Sequence, residues 1–132
     1  MTPRILLVDD EVAVGQLLTV YFQKCGLDLT TATTIDQAKV VLDQGKFHLT
    51  ILDLDLGGAD GLELLSYIKE RFPGMPVVIF TGLNLDEAFL KKTLAGRAEG
   101  FMRKTESLSG LFKEVCRHLP KELVPPARSP SG

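Results

Sequence analysis

Five polar residues stand where short apolar runs end. Asp9 and Asp10 follow RILLV (4–8), Asp53 follows LTIL (49–52), Thr81 follows PVVIF (76–80) and Lys104 follows EGFMR (99–103). Runs of this length and β-branched content read as buried strands, so each polar residue sits at the C-terminal lip of a strand. In open α/β sheets that lip is where ligands bind. Three carboxylates within about 5 Å of one another repel by roughly 3 kcal/mol per pair at an effective dielectric near 20. A divalent cation offsets that repulsion, and Mg²⁺ suits it because it takes one or two carboxylates, keeps waters and coordinates phosphate oxygens. Lys104 adds a point charge for a phosphoryl or carboxylate oxygen. A metal, a lysine, a hydroxyl and a lone carboxylate describe phosphoryl transfer to an aspartate. Asp53 is then the nucleophile, the metal and Lys104 neutralise the phosphoryl oxygens, and Thr81 donates its hydroxyl hydrogen to the acyl phosphate. Movement of Thr81 toward that group would vacate space into which Phe101 turns, altering the outer surface of the last two helices.

The elements that must bring these residues together can be read in order. After the first strand, Val14, Leu17, Leu18, Tyr21 and Phe22 recur at helical spacing between Glu11 and Cys25, with Gly26 as the stop. A threonine-rich strand (27–33) precedes a helix capped by Thr34 and ending at Gly45. The central stretch His48–Gly61, HLTILDLDLGGADG, gives a strand, a glycine-rich loop and Asp60 as cap of a helix over 62–72. A fourth strand covers 76–80, a weaker helix 86–94, a fifth strand 99–103, and a last amphipathic helix 107–119 is stopped by Pro120.

Five strands alternating with five helices over short connections predict a parallel sheet with helices on both faces. The expected fold is α/β, a flavodoxin-like (βα)5 three-layer sandwich with strand order 2-1-3-4-5. On that order strands 1 and 3 flank the switch point, so Asp9, Asp10 and Asp53 meet in one crevice, with Thr81 and Lys104 on the same rim. The expected organisation is one domain over 1–120 and a disordered tail or linker over 121–132, ending in proline- and serine-rich VPPARSPSG.

Composition sets bounds. The chain of 132 residues is 45% hydrophobic, enough for one domain with a core. Its formal net charge is −2, with no basic stripe to imply nucleic acid or an anionic membrane as a partner. MTPRILLVDD has too short an apolar run for a signal peptide, which leads to the expectation of a cytoplasmic protein. Cys25 and Cys116 lack metal-ligand spacing and read as free thiols.

The chain resembles a response-regulator receiver domain of two-component signalling, of the chemotaxis-regulator type, over about residues 4–119. The resemblance rests on Asp9 and Asp10 in LLVDDE, Asp53 with Gly61 eight positions later, Thr81 in IFTG, and Lys104 in FMRK with Phe101 three before it. It implies that Asp53 is the phosphoacceptor and that Asp9, Asp10, Asp53 and the backbone carbonyl of Asp55 hold Mg²⁺ (or Mn²⁺). It implies Thr81 and Phe101 as the switch pair and a surface of helix 4, strand 5 and helix 5 as the output. The implied phosphoryl donor is a sensor histidine kinase or a histidine phosphotransfer protein. The output domain or protein is unknown, and a homodimer through the output surface is a common family arrangement.

Departures from the family pattern carry their own expectations. Thr105 follows Lys104 where proline is usual, so the bond there is expected to be trans with an altered loop, or a strained exception. Gly57 stands where a proline is frequent, which is expected to loosen the loop after Asp53. Gly82 leaves the pocket mouth open, and Asp55 and Leu83 are expected to influence hydrolysis of the phosphoryl group through the placing of water. Two other functions fit parts of the pattern. Asp53-Leu54-Asp55 also resembles the DxD pair of haloacid dehalogenase-like phosphatases, though that motif usually lies on the first strand. A phosphate-independent docking module of the same fold would need none of these charges together.

Overall fold

The computed structural model describes residues 2–82, 88 and 97–125. Its strands are β1 (Arg4–Val8), β2 (Asp28–Ala32), β3 (Leu49–Leu52), β4 (Val77–Thr81) and β5 (Gly100–Arg103). They form one parallel sheet in the expected order 2-1-3-4-5. Helices α1 (Val12–Lys24), α2 (Ile35–Gln44), α3 (Gly61–Arg71) and a C-terminal helix (Leu108–His118) flank it. Of the helix expected over 86–94 only Ala88 is described, and the tail residues 126–132 lie outside the described residues. None of the described helices is long and apolar enough to cross a membrane.

The strands are apolar on both faces because both faces are covered. Successive side chains point to opposite sides of a strand, so Leu6, Val8, Leu52, Val77 and Ile79 pack with Ala38, Leu42, Leu64, Leu65 and Ile68 of α2 and α3. Their neighbours Ile5, Leu7, Ile51, Val78 and Phe80 pack on the other side with Leu18 and Phe22 of α1 and with Leu111 and Val115 of the C-terminal helix. This fixes the register of the central strands: a one-residue slip would carry each set to the wrong face.

Local chemistry starts and stops the helices as expected. Thr34 Oγ1 accepts from Gln37 N at 3.1 Å, while Gln37 Oε1 accepts from Thr33 N at 2.8 Å, so two otherwise unpaired donors are satisfied reciprocally. Asp60 Oδ1 accepts from Leu62 N at 2.9 Å at the start of α3. Replacing Asp60 by alanine is expected to lower stability by about 1 kcal/mol, read as a shifted urea midpoint with an unchanged slope. Gly26, at φ +89°, ends α1 and allows Leu27 N to donate to Phe22 O at 2.9 Å.

Three boundaries differ from the sequence reading. β4 runs one residue further, taking Thr81 into the ladder opposite Arg103. β5 begins at Gly100, since the Glu99 carboxylate accepts from Val77 N at 2.7 Å and from Lys69 Nζ at 2.6 Å. Beyond Pro120, Lys121–Leu123 forms a 3-10 turn and Pro125 lies against Gly26, where an added Cβ would be 3.4 Å from Pro125 Cβ. Of the residues assigned from sequence to a tail, Lys121–Leu123 is thus helical and Pro125 lies close to the end of α1. Both cysteines are free thiols, and burial pushes that of Cys116 up to about 11.

Candidate acidic site

The sheet register builds the site. Val8 pairs with Leu52, so Asp9 and Asp53 leave adjacent strands at the same level, and Asp53 N donates to Val8 O at 2.9 Å. Thr81 pairs with Arg103, and Lys104 N donates to Thr81 O at 2.9 Å, which places Lys104 one step past the end of β5. Asp9 and Asp53 are each only 3% exposed and Thr81 is fully buried, whereas Asp10 is exposed. Carboxylate oxygens of Asp9, Asp10 and Asp53 lie within 4.8 Å of one another. The sequence-predicted acids therefore do meet, with Lys104 among them.

Backbone N–H groups hold the two buried carboxylates in place. Asp9 Oδ1 accepts from Glu11 N at 2.9 Å, and Asp53 Oδ1 accepts from Asp55 N at 3.1 Å. Lys104 Nζ donates to Asp53 Oδ2 at 2.8 Å and to Glu11 Oε1 at 2.6 Å. It also pairs with Asp9 Oδ2 at 2.8 Å, so three carboxylates share the one ammonium. Burial alone would lower the proton affinity of Lys104. The carboxylates of Asp53, Asp9 and Glu11 outweigh it and hold the ammonium above the usual lysine range. Burial raises the Asp9 carboxyl above the usual carboxylate range, with Lys104 opposing the rise.

Asp9, Asp10 and Asp53, with the single positive charge of Lys104 among them, are a set of hard oxygen donors with excess negative charge. That set fits a divalent cation of the Mg²⁺ kind.

The residues after Asp53 form a small antiparallel hairpin, with Asp55 and Leu56 opposite Asp60 and Ala59. Its turn corrects the reading of Gly57. Gly57 has φ +64°, a value proline is barred from and other L-residues rarely adopt, so glycine is what the turn requires. The Asp55 side chain is exposed. Leu83 lies outside the described residues. Among the described residues no peptide bond is cis, so Lys104–Thr105 is trans, one of the two outcomes expected there. Phe101 is half-buried against the α2–α3 side of the core, with the Arg103 guanidinium 5.8 Å from its ring centroid. It pairs with Ile79, two residues before Thr81, so Phe101 and Thr81 share a face of the sheet.

Sequence reasoning missed two contributors. In the sequence Glu11 stands only as the residue that opens the first helical stretch, and nothing local signals a contact 93 residues away. Gly61 stands in the sequence as a motif residue and part of a glycine-rich loop, with no role assigned; its Cα lies so close to the Asp53 backbone that an added Cβ would be 2.5 Å from Asp53 O.

A doubly wound parallel sheet with a lysine-bridged acid cluster at its switch point defines a class of protein, and comparison with known proteins gives the family. The response regulator receiver domain model matches residues 5–116, and the chain belongs to that family. It is 31% identical over 114 residues to the response regulator protein PilR of Pseudomonas aeruginosa, covering 86% of this chain and 25% of PilR. The chain spans about a quarter of the length of the curated relatives it matches. Among solved structures, the receiver domain of NtrX from Brucella abortus is 32% identical with a TM-score of 0.78, over 87% of this chain and 97% of that one. The response regulator TrrA of Thermotoga maritima, solved in complex with Mg²⁺ and BeF, is 26% identical with a TM-score of 0.78, over 89% of this chain and 99% of that one. The phosphatase reading is not favoured, since the DxD acids here follow the third strand of a receiver domain.

Proposed function

We propose that this domain accepts a phosphoryl group on Asp53 from a phosphohistidine of a sensor histidine kinase or histidine phosphotransfer protein, in the cytoplasm, and signals through its surface. The observation that carries this reading is the Asp53 carboxylate itself, buried, oriented by Asp55 N–H and bridged by Lys104 to the acids of β1. An Asp53 oxygen attacks phosphorus, the P–N bond to the imidazole breaks, and its electron pair stays on the imidazole nitrogen. Asp9, Asp10, Asp53 and the Asp55 carbonyl would hold Mg²⁺ or Mn²⁺, whose charge would offset that on the phosphoryl oxygens. Lys104 transfers part of its hydrogen bonding from the carboxylates to a phosphoryl oxygen.

Thr81 then reorients its hydroxyl toward the new anion. Because Phe101 lies diagonally from Thr81 on the same sheet face, the space Thr81 leaves is open to its ring. The outer surface of β5 and its neighbouring helices changes with it. The recipient of that change is an output domain or a separate protein, as the greater length of the relatives suggests.

Intact mass after incubation with Mg²⁺ and acetyl phosphate tests the proposal. The wild type is expected to gain one phosphoryl group, and Asp53→Ala or chelation of the metal to abolish the gain. Absence of both phosphoryl uptake and beryllofluoride binding would overturn it in favour of a phosphate-independent docking module.

A further inference from the structure

Glu11 occupies the position just before α1, where a side chain usually caps the helix. Its side chain makes no capping hydrogen bond, and the first turn of α1 contains no other acid. Glutamate is not among the good capping residues, which are Asn, Asp, Ser and Thr. Its carboxylate reaches Lys104 Nζ at 2.6 Å, the shortest of the three contacts that the ammonium makes with acids. The three acids differ in their access to water: the side chains of Asp9 and Asp53 are 1% and 4% exposed, and that of Glu11 is 59% exposed.

We propose that Glu11 is a displaceable counter-ion, a positioning residue that holds Lys104 in the resting domain and gives it up to the incoming phosphoryl group. This inference rests on Asp53 being the phosphoacceptor. An ammonium has three N–H donors, and here carboxylates surround it, so an arriving anion must take the place of one of them. Releasing Asp9 or Asp53 would leave a buried carboxylate short of a cation. Releasing Glu11 returns an exposed carboxylate to water at little cost. Glu11 therefore competes with the phosphoryl oxygens for Lys104, and it sets how readily the site binds an anion.

The test is the apparent Kd for beryllofluoride at saturating Mg²⁺, followed by amide NMR shifts, for the wild type, Glu11→Gln and Glu11→Asp. Both variants are expected to bind about two- to fivefold more tightly, the range that loss of one exposed ion pair gives. The aspartate variant separates contact from charge. It keeps the carboxylate but is one methylene shorter, and as a good capping residue it turns toward the α1 N–H groups instead. Wild-type affinity in Glu11→Asp would show that net charge alone matters and overturn the inference, as would unchanged or weaker binding in Glu11→Gln. If the wild type itself takes no beryllofluoride, this inference fails, and the phosphoacceptor reading fails with it where phosphoryl uptake is also absent. Binding that is equal in all three proteins rejects only the role of Glu11.

Discussion

Replacing Lys104 by methionine is expected to destabilise the metal-free domain by about 3 kcal/mol, and added Mg²⁺ to recover most of that loss. Methionine keeps much of the stem, which lies near Gly82, and removes the charge. Lys104 Nζ is within 2.8 Å of Asp9, Glu11 and Asp53, and two of these acids are buried. Removing one partner of a buried ion pair costs about 3–5 kcal/mol, because the other charge remains without compensation. The openness of the site toward Asp10 and Glu11 places this variant at the lower end. For a domain of this size the loss corresponds to a fall of roughly 10 °C in Tm. A ligand that binds only the folded state stabilises it by mass action. In the variant no ammonium competes with Mg²⁺ for the acids, so the metal should raise its Tm more than that of the wild type. Thermal unfolding in chelator and in Mg²⁺ gives both numbers. Equal Tm values in chelator, or an equal response to metal, would show that Lys104 is not the charge balancing these acids.

That balance was largely legible in the sequence, and the reason is physical. Apolar runs that end in acids specify both a buried strand and the residue at its lip, and the right-handed crossover rule leaves few ways to order five such strands. Asp9, Asp53, Thr81 and Lys104 could therefore be placed together before any coordinates. Asp60 and Thr34 were legible as caps because capping is local chemistry between residues two or three apart. What was not legible depends on backbone angles or on contacts between distant segments. The hairpin at Asp55–Asp60 consists of two pairs only, too short for periodicity to report. Gly57 was compared with a proline by family pattern, but the turn here has φ +64°, so the comparison failed on conformation. The Glu11–Lys104 pair joins the first and last strand lips and has no signature in either one.

Gly61 shows the same limit most sharply, and Gly61→Ala is expected to be among the most damaging single-methyl additions in the domain. Gly61 is the first residue of α3, and its N–H donates to Leu54 O at 2.9 Å, tying the helix start to the chain just after Asp53. A Cβ there would lie 2.5 Å from Asp53 O, 2.7 Å from Leu54 Cα and 3.1 Å from Leu54 O. All three are backbone atoms, so no rotamer change relieves the overlap, and either α3 or the Asp53 peptide must move. Overpacking of this kind costs about 3 kcal/mol, and because the displaced group carries Asp53, phosphoryl uptake should fall with stability. Gly58→Ala is the control. Gly58 has φ +93° with nothing within 4 Å of the added carbon, so it carries only the conformational penalty of about 1–2 kcal/mol and should retain uptake. Urea unfolding and acetyl phosphate labelling of the two variants compare the effects directly. If Gly61→Ala proves as stable and as readily phosphorylated as Gly58→Ala, the helix start is free to shift, and close approach at Gly61 does not position Asp53.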